Sequence, residues 1–327
     1  MSLAQKLYFM FNSGKNPKWH YYLASYLRSV CPAEPFRRML QRRLESAALR
    51  PDYEYMLERR DYCNRLRPGT PLCDGCPTIR EMEMTRQKVY YLDTWRYARY
   101  FNPDLRLRLL PGDIDYVPDK PSVTKSRPIA DSADNAFSVL FKLDRVRHFI
   151  FAKNDIPFRQ KSDIALFRGK IGGKDNRIRF LEKFYGHPMV DAGDVTRYND
   201  EHPEWLRHKL TIPEQLRHKF ILALEGNDVA SNLKWVMSSN SVAVMPRPTC
   251  ESWFMEGTLI PDHHYIEIAP DFSDLPDRLS YYIAHPDECE AIIANANAYV
   301  DRFRDEERED LISLMVLEKY FRNTGQL

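Results

Sequence analysis

With 327 residues the chain is long for a single hydrophobic core and long enough for two lobes. Hydrophobic residues make up 43% of it and charged residues 29%, a balance typical of folded soluble proteins that excludes a disordered chain. The formal net charge is +2, so attraction to an anionic partner has to come from a local patch. The weak charge and the lack of a recognised binding module argue against a nucleic-acid-binding protein.

Signals that direct a chain to or through a membrane are weak in this sequence. No stretch approaches the roughly 20 apolar residues that a spanning helix needs. The apolar start, residues 7–11, is too short for the core of a signal peptide, and it lacks a small-residue cleavage site. We therefore expect a soluble, cytoplasmic protein.

Six cysteines are present, and a reducing compartment favours thiols over disulfides. Cys63, Cys73 and Cys76 are grouped around a Pro/Gly-rich loop, residues 66–77, that contains one C-x-x-C pair. A structural zinc ion needs a fourth ligand, and neither a second C-x-x-C nor an H-x-x-H lies nearby. Plain loop cysteines are therefore favoured over a zinc site.

The first hundred residues are predicted to be helical, most clearly at residues 35–48. Apolar residues recur there at helical spacing, and four arginines fall largely on the other side, at Arg37, Arg38, Arg42 and Arg43. The simple interpretation is a solvated helix face. The alternative is a helix that lies against anionic headgroups, as a peripheral contact with the inner membrane.

The next segments are mixed in pattern. Residues 105–109 alternate apolar and basic, which predicts a half-buried strand. Residues 111–121 are rich in turn residues. Residues 135–147 are predicted to form a helix, and residues 149–151 to begin a short strand.

From residue 163 strands and helices alternate. The predicted strands cover residues 164–167, 189–192, 220–224, 241–245 and 265–268, and the predicted helices cover residues 177–184 and 230–238. Helical patterns then continue to residue 320, broken by Pro276 and Pro286. The alternation predicts an α/β fold with a parallel sheet covered on both faces. Ligands bind at the carboxyl ends of such strands, so the loops after Phe167, Leu224 and Met245 are expected to share one rim.

Two loops on this rim are suited to bind an anion. In residues 167–174 glycines let the backbone approach a ligand. The same segment contains the basic residues Arg168, Lys170 and Lys174, and Arg177 follows it. In residues 224–234 a glycine turn leads into a predicted helix, with Asp228 as its N-cap and Ser231, Asn232 and Lys234 in its first turns. An ordinary basic turn and a simple helix cap are the alternatives.

The order of short segments in this half of the chain resembles the CAP10-like glycosyltransferases, family 90. That family includes Rumi-type protein O-glucosyltransferases and bacterial lipopolysaccharide core glycosyltransferases. The matching pieces are F-R-G at residues 167–169 with a downstream arginine, V-D-A at residues 190–192, G-x(3)-A-S-x(2)-K at residues 226–234 and H-Y-I at residues 264–266. Residues 238–242, a strand region that precedes H-Y-I, also match. The resemblance extends from about residue 111 to residue 268, and the helical N-terminal part is similar to the bacterial lipopolysaccharide branch.

The resemblance implies a GT-B fold, two Rossmann-like lobes facing across a cleft, here with a helical N-terminal extension. The helical region is expected at residues 1–104 and the acceptor lobe at residues 105–161, completed by residues 301–327. The donor lobe is expected at residues 162–300. The implied reaction is an inverting transfer from a UDP-sugar, with no metal ion or other cofactor.

The resemblance also implies which residues bind the donor. Arg168, Gly169 and Arg177 would hold the pyrophosphate, and Asp191 would touch the nucleotide or cap a turn. The second loop would contribute Gly226, Ala230, Ser231, Asn232 and Lys234. Many relatives have an arginine where this chain has Asn232, so Arg168, Arg177 or Lys234 is left to neutralise the leaving group.

The family's base is an aspartate in a segment ending D-x-P, which matches Asp119. Inversion needs one such carboxylate within hydrogen-bond reach of the acceptor hydroxyl. A turn aspartate between two prolines is the alternative. Asp113 and Asp115 form a D-x-D, which binds metal in other glycosyltransferases, but the family lacks such a site and we expect none here.

Four further residues are candidates for contacts with the acceptor or the sugar. Lys125 and Arg127 follow the candidate base and are suited to bind phosphate, with a solvated loop as the alternative. Trp253 is suited to stack on a sugar and Glu251 to hold its hydroxyls, although a core tryptophan beside a surface glutamate is equally plausible.

Together these observations predict a hexosyltransferase that moves glucose or galactose from a UDP-sugar to a lipopolysaccharide or lipooligosaccharide core acceptor. Two alternatives stay open. One is a UDP-sugar-dependent transferase that acts on a capsule glycan or a polypeptide. The other is a non-catalytic protein that only binds sugar nucleotides, because a fold does not determine an activity.

Overall fold

A computed structural model describes residues 8–9 and 12–327 of the chain. Of the apolar start considered above, Leu7, Met10 and Phe11 lie outside the described residues. The helices are α1 Lys18–Val30, α2 Glu34–Ala48, α3 Tyr53–Cys63, α4 Lys88–Ala98, α5 Arg145–His148, α6 Asp175–Phe184, α7 Ile212–Gln215, α8 Leu233–Met237, α9 Leu275–Ala284, α10 Pro286–Asp301 and α11 Glu306–Asn323. The strands are β1 Ser122–Thr124, β2 Ser126–Pro128, β3 Ser138–Leu140, β4 Ser162–Gly169, β5 Val190–Asp194, β6 His218–Leu222, β7 Val242–Met245, β8 Cys250–Ser252 and β9 Ile266–Glu267.

The chain divides into two compact units, each made of several segments. The unit that we call the sheet unit comprises Met1–Asn16, Arg147–Pro248 and Thr258–Arg302. The other, the helical unit, comprises Pro17–Val146, Thr249–Gly257 and Phe303–Leu327. The protein is thus of mixed α/β type, and its GT-B arrangement stays a prediction.

The sheet unit is built on a five-stranded parallel sheet in the order β5-β4-β6-β7-β9. Its central strands are apolar on both faces, as expected for a parallel sheet covered by helices, and β7 is buried at all four positions. Aromatic and aliphatic side chains from α6, α9 and α10 complete one continuous core with these strands. The predicted parallel sheet is therefore confirmed.

Several local predictions were wrong. Residues 105–109 form only isolated bridges, Thr78 with Arg106 and Leu109 with Val123. Residues 135–147 are not one helix, because Ser138–Leu140 pair in parallel with Ser122–Thr124, and a strand takes the backbone hydrogen bonds that a helix would need. The strand β3 and the short helix α5 take their place.

Other differences concern where elements begin and end. Residues 149–151 form no strand. The helical pattern is interrupted before Pro286, as predicted, since α9 ends at Ala284 and α10 begins at Pro286. Pro276 and Pro286 both lie in the first turn of a helix, where their missing N–H groups are tolerated. The helix predicted at residues 230–238 covers only Leu233–Met237.

The helical unit contains α1 to α4 and α11, with two small sheets. One sheet pairs β1 with β3 in parallel, and the other pairs β2 with β8 antiparallel. None of the helices within the described residues combines the length and the apolar character that crossing a bilayer requires.

A buried charged network links distant parts of the helical unit. Arg59 Nη1 lies 2.7 Å from Glu309 Oε1, and both side chains are only 1% exposed. The other carboxylate oxygen of Glu309 accepts hydrogen bonds from Trp253 Nε1 at 2.6 Å and from Lys142 Nζ at 3.1 Å. Burial by itself would raise the pKa of Glu309, but Arg59 and Lys142 outweigh burial and hold that pKa below its usual value.

We predict that Glu309→Gln lowers the free energy of unfolding by about 3–5 kcal/mol, because it leaves the buried Arg59 without its counter-ion. The pKa of Glu309 is lower in the folded protein than in an unfolded chain. The stabilisation that the Glu309 carboxylate provides is therefore fully present above the ordinary glutamate pKa, and it is lost as the pH falls through the pKa of Glu309 in the folded protein. Urea unfolding at neutral and acid pH measures both effects. Glu318→Gln, which removes a helical ion pair with Arg322, is the control and should change stability by about 0.5 kcal/mol or less. A loss as small for Glu309→Gln would contradict the prediction.

Candidate active site

The strand order of the sheet unit creates a crevice between β4 and β6. Counted in order of appearance, the five strands are arranged 2-1-3-4-5, so the chain leaves β4 toward one edge of the sheet and continues from β6 toward the other. In open parallel sheets, ligands bind at the carboxyl ends of the strands where this reversal occurs. The loops after β4 and β6 are therefore where a ligand is expected.

Arg177 spans this crevice. It is the third residue of α6, and its guanidinium donates three hydrogen bonds to backbone carbonyls of the two loops. Nη1 donates to Lys170 O at 2.9 Å, Nη2 to Leu224 O at 2.7 Å and Nε to Glu225 O at 3.0 Å. The structure thus brings the two loops of the predicted anion site together through one of the predicted residues.

The charge of Arg177 has no carboxylate partner in the part of the chain that the structure describes. Its partners are neutral carbonyls, and burial lowers its pKa to about 10. The guanidinium is therefore still charged at neutral pH, in a place where water screens it poorly. A bound anion at this edge would compensate the charge.

Two glycines let backbone approach the guanidinium. A Cβ on Gly226 would lie 3.2 Å from Arg177 Nη2 and 3.5 Å from Lys174 Cε. A Cβ on Gly169 would lie 2.8 Å from Cζ of Phe167, too close without a shift of that buried ring. Gly169 and Gly226 therefore lie at the crevice, as their assignment to the donor site requires, although their role in binding stays a prediction.

Arg168 is held differently from Arg177. Its Nη2 lies 2.8 and 2.7 Å from the two carboxylate oxygens of Asp191, and its Nη1 donates to Asp191 O at 2.9 Å. The pair ties the end of β4 to β5, and the arginine side chain is only 8% exposed. In this arrangement Asp191 already compensates the charge of Arg168. The prediction from the sequence instead assigned that charge to the pyrophosphate.

The second loop lacks the helix dipole on which the sequence argument relied. The helix α8 has five residues, and its N-cap is Asn232, not Asp228. Asn232 Nδ2 instead donates to Leu222 O at 3.0 Å, which fastens the loop to the end of β6. Because so short a helix has a small dipole, its N-terminus attracts an anion less strongly than was predicted from the sequence.

The other residues assigned to this loop differ in exposure. Ala230 is buried, Lys234 is fully buried, and Ser231 is exposed. Of the three side chains, that of Ser231 is therefore open to a ligand without rearrangement.

A pocket of about 290 Å³ lies at the same edge of the sheet, between the loops after β4 and β5. Its walls include Gly172, Gly173, Asp194, Asn199, His202 and Trp205. Asp194 is fully buried and accepts hydrogen bonds from the backbone and hydroxyl of Thr196, at 2.8 and 2.6 Å. The rings of His202 and Trp205 stack at 3.6 Å. Such a mixture of aromatic and polar groups suits a nucleoside or a sugar.

Sequence reasoning missed this pocket. The segment after β5 has acids, amides and aromatics at 194–205, directly after the carboxyl end of a predicted strand. That composition was the available signal, but no short motif marks it.

The candidate base, Asp119, lies in the helical unit. Its side chain is 77% exposed, and Oδ1 lies 2.8 Å from Nη1 of Arg108. The hydrogen bond from Arg108 holds the pKa of Asp119 below its usual value, so the carboxylate is ionised at neutral pH. Asp113 of the D-x-D pairs with Lys125, and Asp115 is exposed.

The four candidate acceptor residues are all in the interior of the helical unit. Arg127 Nε lies 2.7 Å from Glu251 Oε1, and both side chains are at most 1% exposed. Trp253 has no exposed surface, and Lys125 is 2% exposed. Stacking of Trp253 on a sugar, or contact of Glu251 with sugar hydroxyls, would require these side chains to be uncovered.

The cysteines show no metal-binding arrangement. All six are free thiols, and Cys63 and Cys76 are buried. Within residues 8–9 and 12–327 no three or more His, Cys, Asp or Glu side chains are grouped closely enough to hold a metal ion.

Comparison with known proteins extends these findings. The family model described as glycosyl transferase family 90 matches residues 141–320, more than half of the chain. The chain is 38% identical over 260 residues to "O-glucosyltransferase LpsA" of Dichelobacter nodosus, which covers 80% of each protein. It is also 30% identical over 167 residues to "Uncharacterized protein 035R" of Invertebrate iridescent virus 3, 44% of this chain and 15% of that protein. The chain therefore belongs to glycosyltransferase family 90.

Proposed function

We propose that this glycosyltransferase moves a hexose, glucose in preference to galactose, from a UDP-sugar to a lipopolysaccharide core acceptor with inversion of the anomeric centre. The observation that supports the donor site most strongly is Arg177, a half-buried cation without a carboxylate partner among the described residues, at the reversal point of a parallel sheet. The name of the Dichelobacter nodosus relative, an O-glucosyltransferase, supports glucose.

In this proposal the diphosphate of the donor lies against the crevice between β4 and β6. Arg177 provides a fixed positive charge, and Lys174 and the exposed Lys170 lie on the loop that it holds. The nucleoside occupies the neighbouring pocket between the loops after β4 and β5. As the glycosidic bond breaks, negative charge grows on the leaving UDP, and a preorganised guanidinium stabilises that charge.

Asp119 is the proposed base. It accepts the proton of the acceptor hydroxyl while that oxygen attacks the anomeric carbon, through an oxocarbenium-like transition state. The lowered pKa of Asp119 supports this role, because the carboxylate is ionised over the neutral range. No metal ion or other cofactor is required by the proposal.

The proposal includes a peripheral membrane contact through α2. Its Arg38 and Arg42 are exposed one turn apart, and Arg38 Nε also lies 3.2 Å from Glu34 Oε1. Arg37 is less exposed and is paired with Glu34, and Arg43 is paired with Glu307. Exposed arginines at this spacing suit an anionic lipid surface, which also carries the proposed acceptor.

We predict that Arg177→Met weakens UDP binding by about 100-fold, roughly the 3 kcal/mol that one preorganised anion contact contributes. Titration calorimetry with UDP measures the change, and thermal unfolding without ligand checks that the variant folds. Arg179→Gln, an exposed arginine on the same helix, is the control and should bind UDP as the wild type does. Equal affinity of UDP for wild type and Arg177→Met would refute the donor site.

We predict that Asp119→Asn lowers the transfer rate by about 10²–10⁴-fold and leaves UDP affinity unchanged, as for removal of a general base. Transfer from UDP-glucose to purified core oligosaccharide is the measurement, and Asp115→Asn on the same exposed segment is the control.

A pH profile of the same reaction provides a second test of the base. Arg108→Met removes the hydrogen bond that lowers the pKa of Asp119, so the acidic limb of the rate profile should move to higher pH. An unchanged limb would mean that Asp119 is not the group that accepts the proton.

We predict that the double variant Arg38→Gln, Arg42→Gln binds vesicles rich in phosphatidylglycerol about 30-fold more weakly than the wild type, at about 1 kcal/mol per basic residue near an anionic surface. Co-sedimentation at low salt is the measurement. Arg80→Gln with Arg322→Gln removes two exposed arginines outside α2 and is the matched control. Equal losses in the two double variants would argue against a contact through α2.

A further inference from the structure

A second group of arginines lies in the helical unit, around a pocket of about 100 Å³. Arg28 of α1, Arg43 of α2, and Arg96 and Arg99 at the end of α4 contribute to its walls. Tyr97, Tyr100, Asp310 and Leu314 complete the lining. The pocket is well below the roughly 300–1,000 Å³ that sites for larger organic ligands occupy, so it suits a compact ligand.

The arginines of this pocket outnumber the acids. Asp310 is the one acid in the lining, and it is used by Arg96, whose Nη2 lies 3.0 and 2.9 Å from its two oxygens. Arg43 has Glu307 at 3.4 Å. Throughout the described ranges neither Arg28 nor Arg99 has a carboxylate within ion-pair distance. Two guanidinium charges are therefore left for another anion.

Arg99 is fixed in place but incompletely satisfied. It is only 6% exposed, its guanidinium lies 3.5 Å above the ring of Phe36, and Nη1 donates to Arg28 O at 3.1 Å. Its Nε is buried and has no hydrogen-bond partner, and the same is true of Nε of Arg43. Buried donors without a partner on charged groups are costly, so this position of Arg99 is not explained by the contacts it makes within its own unit.

The charges also disfavour one another. Burial lowers the pKa of Arg28, and the neighbouring guanidiniums of Arg96, Arg145 and Arg99 lower it further. Burial likewise lowers the pKa of Arg99. A doubly charged oxyanion in the pocket would relieve this repulsion, whereas a neutral ligand would not.

We propose that this arginine pocket binds a compact oxyanion of the phosphomonoester class, either free phosphate or a phosphoryl group at the end of a lipid or glycan. Guanidinium groups match phosphate oxygens in charge and in fork geometry, whereas a lysine would supply only a point charge. This match accounts for the presence of four arginines around the pocket. The site is in a different unit from Arg177 and does not depend on the proposed donor chemistry.

The first test is a thermal-unfolding titration of the full chain with inorganic phosphate, against sodium chloride at matched ionic strength. The melting temperature should rise with phosphate beyond the chloride control, because a ligand that binds the native state stabilises it by mass action. Arg28→Gln should weaken the apparent phosphate affinity by about tenfold or more, as for a lost hydrogen bond to a charged group. Arg28→Lys should be intermediate, since it keeps the charge and loses the fork.

Arg28 is the residue of choice because no side-chain hydrogen bond within the described chain depends on it, so the variant is expected to fold. Arg67→Gln, an exposed arginine of the same unit outside the pocket, should respond to phosphate as the wild type does. No phosphate-specific rise in the wild type, or the same rise in Arg28→Gln, would overturn the proposal. UDP titrated in parallel reports on the Arg177 site, so failure of one site is distinguished from failure of the other.

A vesicle experiment then identifies the source of the phosphoryl group. Phosphatidylcholine vesicles that contain phosphatidic acid, a phosphomonoester, are compared with vesicles of equal charge that contain phosphatidylglycerol, a diester. Preferential binding to phosphatidic acid that is lost in Arg28→Gln assigns the pocket to a lipid headgroup. A phosphate response without that preference assigns it to a soluble phosphate.

Discussion

The pairing of β4 with β6 is the constraint on which the rest of the sheet unit depends. Because β5 lies on the far side of β4, the chain reverses its direction of travel across the sheet at this pair. The reversal directs the two following loops toward opposite edges of the sheet, and in open parallel sheets the crevice between such loops is where ligands bind. The guanidinium of Arg177 spans this crevice, and its hydrogen bonds go to backbone carbonyls. The strand order and the position of this one cation together specify where an anion can be bound.

The arginines that are wholly or partly buried fall into two groups, and the distinction between them carries functional information. Arg59 and Arg127 each have a buried glutamate within 2.7 Å, and Arg168 has Asp191. In those pairs a carboxylate compensates the charge of the arginine, and the pairs connect segments far apart in the sequence. Arg177 is surrounded by carbonyls, and Arg28 and Arg99 by other arginines, tyrosines and an aromatic ring. A buried cation that the protein leaves without a counter-ion is a physical reason to expect an anionic ligand, which the mere presence of basic residues in a sequence is not.

The sequence predicted the parts of the molecule that depend on local patterns. Apolar runs such as residues 220–224 predicted parallel strands correctly, because burial on both faces of a sheet requires them. The prediction of a helix at residues 135–147 was wrong, because residues 138–140 pair with Ser122–Thr124, a partner that the local pattern does not reveal. Trp253 lies in the core because it donates a hydrogen bond to Glu309, 56 residues away. Glu251 lies there because it pairs with Arg127, 124 residues away. Pairings over such distances leave no trace in hydrophobic periodicity, so single-sequence reasoning cannot separate a core tryptophan from one that stacks on a ligand.

The position of Asp119 has a consequence for how a carboxylate base would work here. A carboxylate whose pKa is lowered by Arg108 has little tendency to take a proton from a neutral hydroxyl. In a transfer with an oxocarbenium-like transition state, however, the acceptor oxygen becomes acidic only as its bond to the anomeric carbon forms. We infer that proton transfer to Asp119 would be late, and that its main tasks are to stay ionised and to orient the hydroxyl. Arg108 serves the first task directly. On this proposal the strength of the base would matter less than its placement, and catalysis would depend chiefly on the charge that Arg177 offers to the leaving group.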